Sequence, residues 1–466
     1  MKNKLLTLFF VVTFFALSAP SASAVTNGVV KVGLRYGSSA LASANLENAE
    51  GAGYEFGYYD ADRRFVSLGR TDVTTITMSL SGGSSISVTR TNTSEVLYEH
   101  NAGDRPLGVR PAGNSTWFKG YRYAGGFEYV PAGAGSLKVV NVVDLEDYVK
   151  GVVPYEMPGD WPLAALEAQA VCARTFVQGH NKHLRDEGFD VCNGVDCQVY
   201  NGRGTGRNEP SADSDRAVEN TAGLCIYYNG TLVQDAVYHS SDGGATEDGY
   251  NVWGTETGYL KGKADPYESR TSVPNNSWSV TYTAAELSWI LDQKGHSVGT
   301  VQDVYVSEYT PLGNVRQVTF VGSAGTKTFT GDDCRMIFYS STYQKSVSSM
   351  RFDINGRRGG SGGLYVNGAG LLSSLDGASV ISGGGTTGTL RGNSASAITS
   401  SGTVTVSCEA SRPSSGGGSQ NGNFVITGTG NGHNVGMSQY GAKAMAEQGY
   451  GFQEILNFYY TDITIR

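Results

Sequence analysis

Glu156 is the residue whose surroundings point most directly to chemistry. It stands between Tyr155 and Met157, with Pro154, Pro158 and Trp161 close by. Apolar neighbours disfavour an ionised carboxylate and raise its pKa. Cleavage of a glycosidic bond needs such a proton donor near neutral pH. The same pattern also suits a surface glutamate capping the helix that follows, and the local residues leave both readings open. A second group of reactive types is His239-Ser240-Ser241-Asp242-Gly243-Gly244. Its glycines let backbone approach a ligand. His239, Ser241 and Asp242 have the types of a nucleophilic triad, but neighbours on one strand end cannot orient as nucleophile, base and orienter. Gly359-Gly360-Ser361-Gly362-Gly363 meets the G-x-S-x-G pattern only because the stretch is nearly all glycine, with no strand-to-helix elbow around it. A serine hydrolase is not expected.

These groups need elements to hold them. Leu137 to Leu145 reads as a strongly apolar strand. Asp160 and Pro162 mark the start of a helix, since proline is tolerated in a first turn. Leu163, Leu166, Ala170, Ala173 and Val177 recur at helical spacing and predict one buried face. Gln169 and Arg174 lie off that stripe and are expected to point toward a cleft. A shorter helix is predicted from Ala212 to Thr221, ended by Gly223. Leu224–Tyr228 and Thr231–His239 flank Asn229-Gly230, a strong hairpin signal because Asn-Gly fits a type I′ turn. The second strand then delivers the serine loop. Further on, a helix is expected over Ala284 to Gln293 and strands over Val301 to Phe329. The tail predicts a strand at Phe424 to Ile426, then helices near Ser438 to Glu447 and Gln453 to Tyr459.

The remainder of the chain bounds the setting. Lys2 and Lys4 precede an apolar run from Leu5 to Leu17, and Ala22-Ser23-Ala24 follow Pro20. This predicts a secretory signal peptide over residues 1–24, because the run is shorter than the about 20 residues of a membrane-spanning helix. The chain has a formal charge of −8, which argues against nucleic acid and anionic membranes as partners. Glycine (64) and tyrosine (27) are frequent and charged residues make up only 17%, which suits an exported, strand-rich, carbohydrate-handling protein. Six cysteines in an exported chain permit disulfides whose pairing is not legible. The expected organisation is α+β. A β-rich N-terminal domain spans 25–135, and a mixed α/β catalytic domain spans 136–354 and 423–466. A Gly/Ser-rich insertion over 355–422 interrupts it.

"LEDYVKGVVPYEMP" followed by "ALEAQAVCARTFV" resembles the signature of the stage II sporulation protein D (SpoIID/LytB) family. So do "CQVYNG", "VYHSSDGG", "YLKG" and "GHNVGMSQYGAKAMAEQGYGFQEILNFYY", in order, over roughly 135–354 and 423–466. The resemblance implies an exported or wall-associated lytic transglycosylase acting on peptidoglycan glycan strands, leaving 1,6-anhydromuramyl ends. It makes Glu156 the catalytic acid. It places Arg174, Gln198, Tyr200, Ser240, Ser241, Gly243, Tyr259 and Lys261 around the substrate, with Arg174 and Lys261 suited to a carboxylate or hydroxyls and Tyr200 and Tyr259 to sugar rings. Part of the family is described as amidase enhancers, which makes a wall-binding, non-catalytic role the rival, with other wall hydrolases as partners. Asn434 replaces the family's usual glycine, and asparagine tolerates the left-handed backbone that position needs. Some relatives bind zinc near "CQVY" through two cysteines and two histidines. Here Cys192 and Cys197 remain and Asp196 stands where one histidine would be. His180 and His183 offer nitrogen at HxxH spacing, which leaves zinc open. A Cys192–Cys197 disulfide or free thiols are favoured, and no metal or cofactor is expected.

Overall fold

The computed structural model describes residues 25–355, apart from 49, 104, 134, 181 and 205–209, and residues 423–466. Between these, only the backbone of three short hairpins is described: Leu364–Val366 with Gly370–Leu372, Ser379–Ile381 with Thr387–Thr389, and Ser394–Thr399 with Gly402–Ser407. The expected signal peptide, Cys408 and the low-complexity stretches of the insertion lie outside the described residues.

The fold is α+β. Its first part is two sheets, antiparallel except where Val29–Arg35 runs parallel to Val191–Cys192, with buried positions alternating in strands such as Thr75–Gly82. One sheet has seven strands, with Val29–Arg35 between Leu137–Asp144 and Val191–Cys192. The other has six, centred on Ser43–Glu47 and Thr75–Gly82. Val32, Phe56 and Val109 of the first and Leu46, Ile76 and Met78 of the second share one buried cluster.

The boundary expected at 135/136 does not separate two bodies. Leu137–Asp144 pairs with Val29–Arg35 on one side and Gly126–Pro131 on the other. Six of its eight residues are buried, as an apolar run covered on both faces must be. Val139 and Val143 face the main cluster, while Val140 packs with Phe189 and Cys192. The strand then enters the helix Leu145–Lys150, capped by Asp144 through the Glu146 N–H at 2.8 Å.

The long helix spans Leu163–Gly179 with Pro162 at its N-cap. Every residue from Ala165 to Val177 except Glu167 is buried, so the helix has no free face for Gln169 and Arg174 to use. The short helix is observed at Ala212–Asn220. Asn229 and Gly230 both take positive φ, and Tyr228 pairs with Thr231 as the Asn-Gly turn predicts. The strand after it ends at Leu232, however. Tyr238–His239 forms a separate strand, parallel to Met437–Ser438 of the tail.

Residues 277–354 and 423–429 enclose a second buried cluster from Tyr282 to Ile426. Its helix, Ala284–Gln293, carries a capping box of Thr283 and Glu286. The expected strands are Val301–Tyr309, Val315–Gly322 and Gly325–Thr330. The insertion leaves from Phe352–Ile354 and returns into Asn423–Thr429, which pair with each other. The tail then adds the helices Gln439–Glu447 and Phe452–Tyr459 and closes with Ile463–Ile465 against Ile226–Tyr228.

Candidate active site

Glu156 ends the four-residue helix Val153–Glu156, which Pro154 starts and buried Met157 follows. Its side chain lies in a cleft of about 630 Å³ with Phe176, Gln198, Tyr238, Ser240, Trp253, His433 and Gln439 among the lining residues. Oε1 accepts the Val199 N–H at 2.8 Å, and Oε2 accepts Gln439 Nε2 at 3.4 Å. Burial raises the pKa of the carboxyl, opposed by the bonds from Val199, Gln439 and Tyr238, and the net shift is upward. Gln198, itself buried, is held by Tyr238 OH donating to its Oε1 at 3.0 Å and by its own Nε2 donating to Ala173 O at 3.3 Å. The three histidines of the cleft, His180, His239 and His433, have pKa values lowered by burial, His239 to about 4. No lysine or arginine is among the described residues lining it.

The serine loop divides between two environments. Ser240 lines the cleft. Ser241 turns away and donates from Oγ to Glu268 Oε1 at 2.7 Å. Glu268 also accepts the N–H groups of Asp242 and Gly243 and the hydroxyl of Ser438. Asp265 accepts Tyr459 OH at 2.6 Å and the N–H groups of Tyr267 and Glu268. Asp242, Asp265 and Glu268 are all buried, with one oxygen from each within 4.8 Å of the others. Glu268 already accepts four donors, so its lone pairs are spent on protein groups. A proton is the economical way to neutralise the cluster: Asp242 is pushed well above the carboxylate range by burial and by its two acidic neighbours. Asn434, at φ +63 as its motif position requires, donates from Nδ2 to Asp242 O at 2.7 Å and so ties the tail to this loop.

Several expected contacts are corrected. Arg174 is fully buried and makes a two-pronged ion pair with Glu146 at 2.8 and 2.7 Å, between the long helix and its neighbours. It does not line the cleft, because its guanidinium is turned to Glu146 and to the carbonyl oxygens of Val218 and Leu224. Tyr200 is fully buried and donates to Asn141 Oδ1 at 2.6 Å. Tyr259 is buried with its OH accepting the Asp235 N–H at 3.2 Å. Lys261 pairs with Asp248 at 3.2 Å and lies outside the cleft lining. Gly243 sits behind the loop at φ +68, against Thr429. Of the cleft residues, Tyr238, His433 and Gln439 lie within quoted motifs without being singled out, and His239 is weighed there only as a member of a triad. Trp253 had no signal beyond its residue type.

His183, Cys192, Asp196 and Cys197 bring one donor atom each within 4.8 Å of one another. Of the two expected states, disulfide or free thiols, the two cysteines take the second. His183 Nε2 is buried and makes no hydrogen bond, with Asp196 Oδ2 3.3 Å away. The Cys192 thiol is lowered to about 5, chiefly by its hydrogen bond with Cys197. One imidazole, two thiols and a carboxylate suit four-coordinate zinc. His183, not His180, joins the group; His180 stacks on Phe176 at 4.4 Å and lines the cleft.

Fold and site together define an α+β protein whose cleft closes around one protonation-prone carboxylic acid. Residues 133–228 match the family model described as SpoIID, stage II sporulation protein. The chain is 31% identical over 326 residues to an amidase enhancer of Bacillus subtilis (strain 168), spanning 68% of this chain and 40% of that one. It is 26% identical over 332 residues to stage II sporulation protein D of the same organism, spanning 69% and 74%. It is 25% identical over 347 residues to the protein of that name from Bacillus amyloliquefaciens, spanning 72% and 78%. The chain belongs to the SpoIID/LytB family.

Proposed function

We propose that the protein is an exported lytic transglycosylase that cuts the bond between N-acetylmuramic acid and N-acetylglucosamine in peptidoglycan glycan strands. The observation that carries this reading is the half-buried Glu156, raised in pKa inside a cleft and gripped at both oxygens. Glu156 protonates the glycosidic oxygen. The Val199 N–H and Gln439 Nε2 then hold the resulting carboxylate. That carboxylate takes the proton of the muramyl C6 hydroxyl as its oxygen attacks C1. The bond broken is C1 to the glycosidic oxygen, the bond formed is C1 to O6, and the product is a 1,6-anhydromuramyl end. One carboxyl serves both steps, unlike two-carboxylate hydrolysis. Zinc held by His183, Cys192, Asp196 and Cys197 would supply a structural cross-link, and the Gly194–Cys197 turn it would fix lies just before Gln198 and Val199.

Glu156→Gln keeps the size of the side chain and removes the proton. It is expected to leave a folded protein that binds peptide-free glycan and cuts it about 10²–10⁴-fold more slowly. In wild type the rate should fall as pH rises through the raised pKa of Glu156, because the acid must be protonated. Mass analysis should show muramyl ends lighter by one water than hydrolysis products. An unchanged rate in Glu156→Gln ends the assignment. No cutting by wild type, together with stimulation of an added amidase, supports the rival suggested by the name of the Bacillus subtilis enhancer.

A further inference from the structure

The sugar-facing aromatic expected of Tyr200 and Tyr259 is missing from the cleft, since both are buried elsewhere. Another ring occupies its edge. Trp253 ends the short helix Gly249–Trp253, lines the same cleft as Glu156 and is 42% exposed. An exposed indole on a cleft wall is unusual for a residue type that is mostly buried.

The position of Trp253 is built. Its helix is capped by Asp248, which accepts the Tyr250 N–H at 2.9 Å, and ended by Gly254 at φ +75. The Asp332 N–H reaches back to Val252 O at 2.9 Å. Gly331 lies against that same oxygen, where a Cβ would come within 2.4 Å. The inner edge of the indole rests on His433, ring centroids 5.0 Å apart. His433 is itself fixed, its Nδ1 accepting the Val435 N–H at 3.1 Å. Beside it Thr257 lines the cleft with a hydroxyl that is buried and has no partner. Val195, 94% exposed, lines the cleft as well. The site therefore offers an open aromatic plate, apolar neighbours, an unsatisfied hydroxyl and no cationic side chain. That combination favours a ligand with an apolar face and neutral hydrogen-bonding groups.

We infer that Trp253 is the stacking platform for one N-acetylhexosamine ring of a glycan strand, with Thr257 Oγ1 bonding a neutral polar group on it. This deepens the transglycosylase reading and rests on it for the identity of the glycan. The C–H face of the pyranose lies on the indole, and affinity comes from apolar contact rather than charge. Trp253 is a binding residue and does not take part in proton transfer.

The test is calorimetric titration of the intact Glu156→Gln protein with a peptide-free oligosaccharide alternating N-acetylglucosamine and N-acetylmuramic acid. Adding Trp253→Ala should weaken binding about tenfold or more, whereas Trp253→Phe, which keeps a ring, should retain most of it. In the otherwise wild-type enzyme Trp253→Ala should raise KM more than it lowers kcat. Equal affinity in the Trp253→Ala and parent proteins overturns the inference while leaving Glu156 chemistry intact. Trp253-dependent binding by a wild-type protein that never cuts overturns the catalytic reading and supports the platform. A Trp253→Ala protein with altered circular dichroism makes Trp253→Phe and Trp253→His deciding: loss of binding in both, with native spectra, overturns the stacking role.

Discussion

Ser240 and Ser241 are adjacent in sequence and opposite in duty. Alternation along an extended segment sends Ser240 to the cleft and Ser241 to Glu268. Ser240→Ala should slow cutting with an unchanged melting temperature. Ser241→Ala should lower stability by about 1–3 kcal/mol, because a buried carboxylate loses a donor; thermal melts beside product assays separate the two. Asp242 gives a pH signature. Its folded pKa lies above its unfolded value near 3.9, so the folded state holds the proton more tightly. Its contribution to stability is therefore full below that unfolded value and is lost as pH rises toward the folded one. Asp242→Asn mimics the protonated form and should flatten the decline in melting temperature above about pH 4; an unaltered slope would count against a shared proton. At this scale the sequence drew attention to Glu156 because its apolar neighbours are local. It misplaced Arg174 because helical spacing cannot show that a second helix covers the polar side, nor that Glu146, 28 residues earlier, supplies the counter-charge.

Among the elements, those with local signals were legible. The helix Ala284–Gln293, the Asn-Gly turn and the helix Gln439–Glu447 each stand where their residues predict. The pairing of Tyr238–His239 with Met437–Ser438 was not, since two-residue parallel strands nearly two hundred positions apart leave no period to read. Asn434 shows how a motif departure can be absorbed. It keeps the left-handed backbone and adds side-chain bonds to Asp242 O, Ala245 O and the Met350 N–H. Asn434→Gly relieves backbone strain of order 1 kcal/mol but leaves those buried groups without partners. A net loss of about 1–2 kcal/mol is expected in denaturant titrations; a gain in stability would show that the side-chain bonds contribute little.

Among the described residues two large buried clusters divide the labour. The larger joins the N-terminal sheets to the helices behind Glu156, and the smaller supports the strands from which the insertion departs. Because the insertion joins two paired strands, replacing 356–422 with a short Gly/Asn turn should preserve folding and cutting. The check is a melting temperature and product spectrum alongside the full chain. Loss of cutting in a protein of normal stability would place substrate contacts in the insertion. The boundary expected at 135/136 falls just before a link composition cannot reveal: one valine-rich strand completes the N-terminal sheet and also leads into the helix Leu145–Lys150.

The acid and the amide that touches it are 283 positions apart, and the strand Tyr238–His239 that leads into Ser240 finds its partner only in the tail. On a ribosome, Glu156 emerges long before Gln439, Met437 or the closing strand Ile463–Ile465. A nascent chain thus carries every atom of the proposed acid but no cleft, and the cutting power proposed for it would arrive in one late step. Under that proposal the order of assembly acts as a time lock: a chain still being made holds the acid without the groups that grip it.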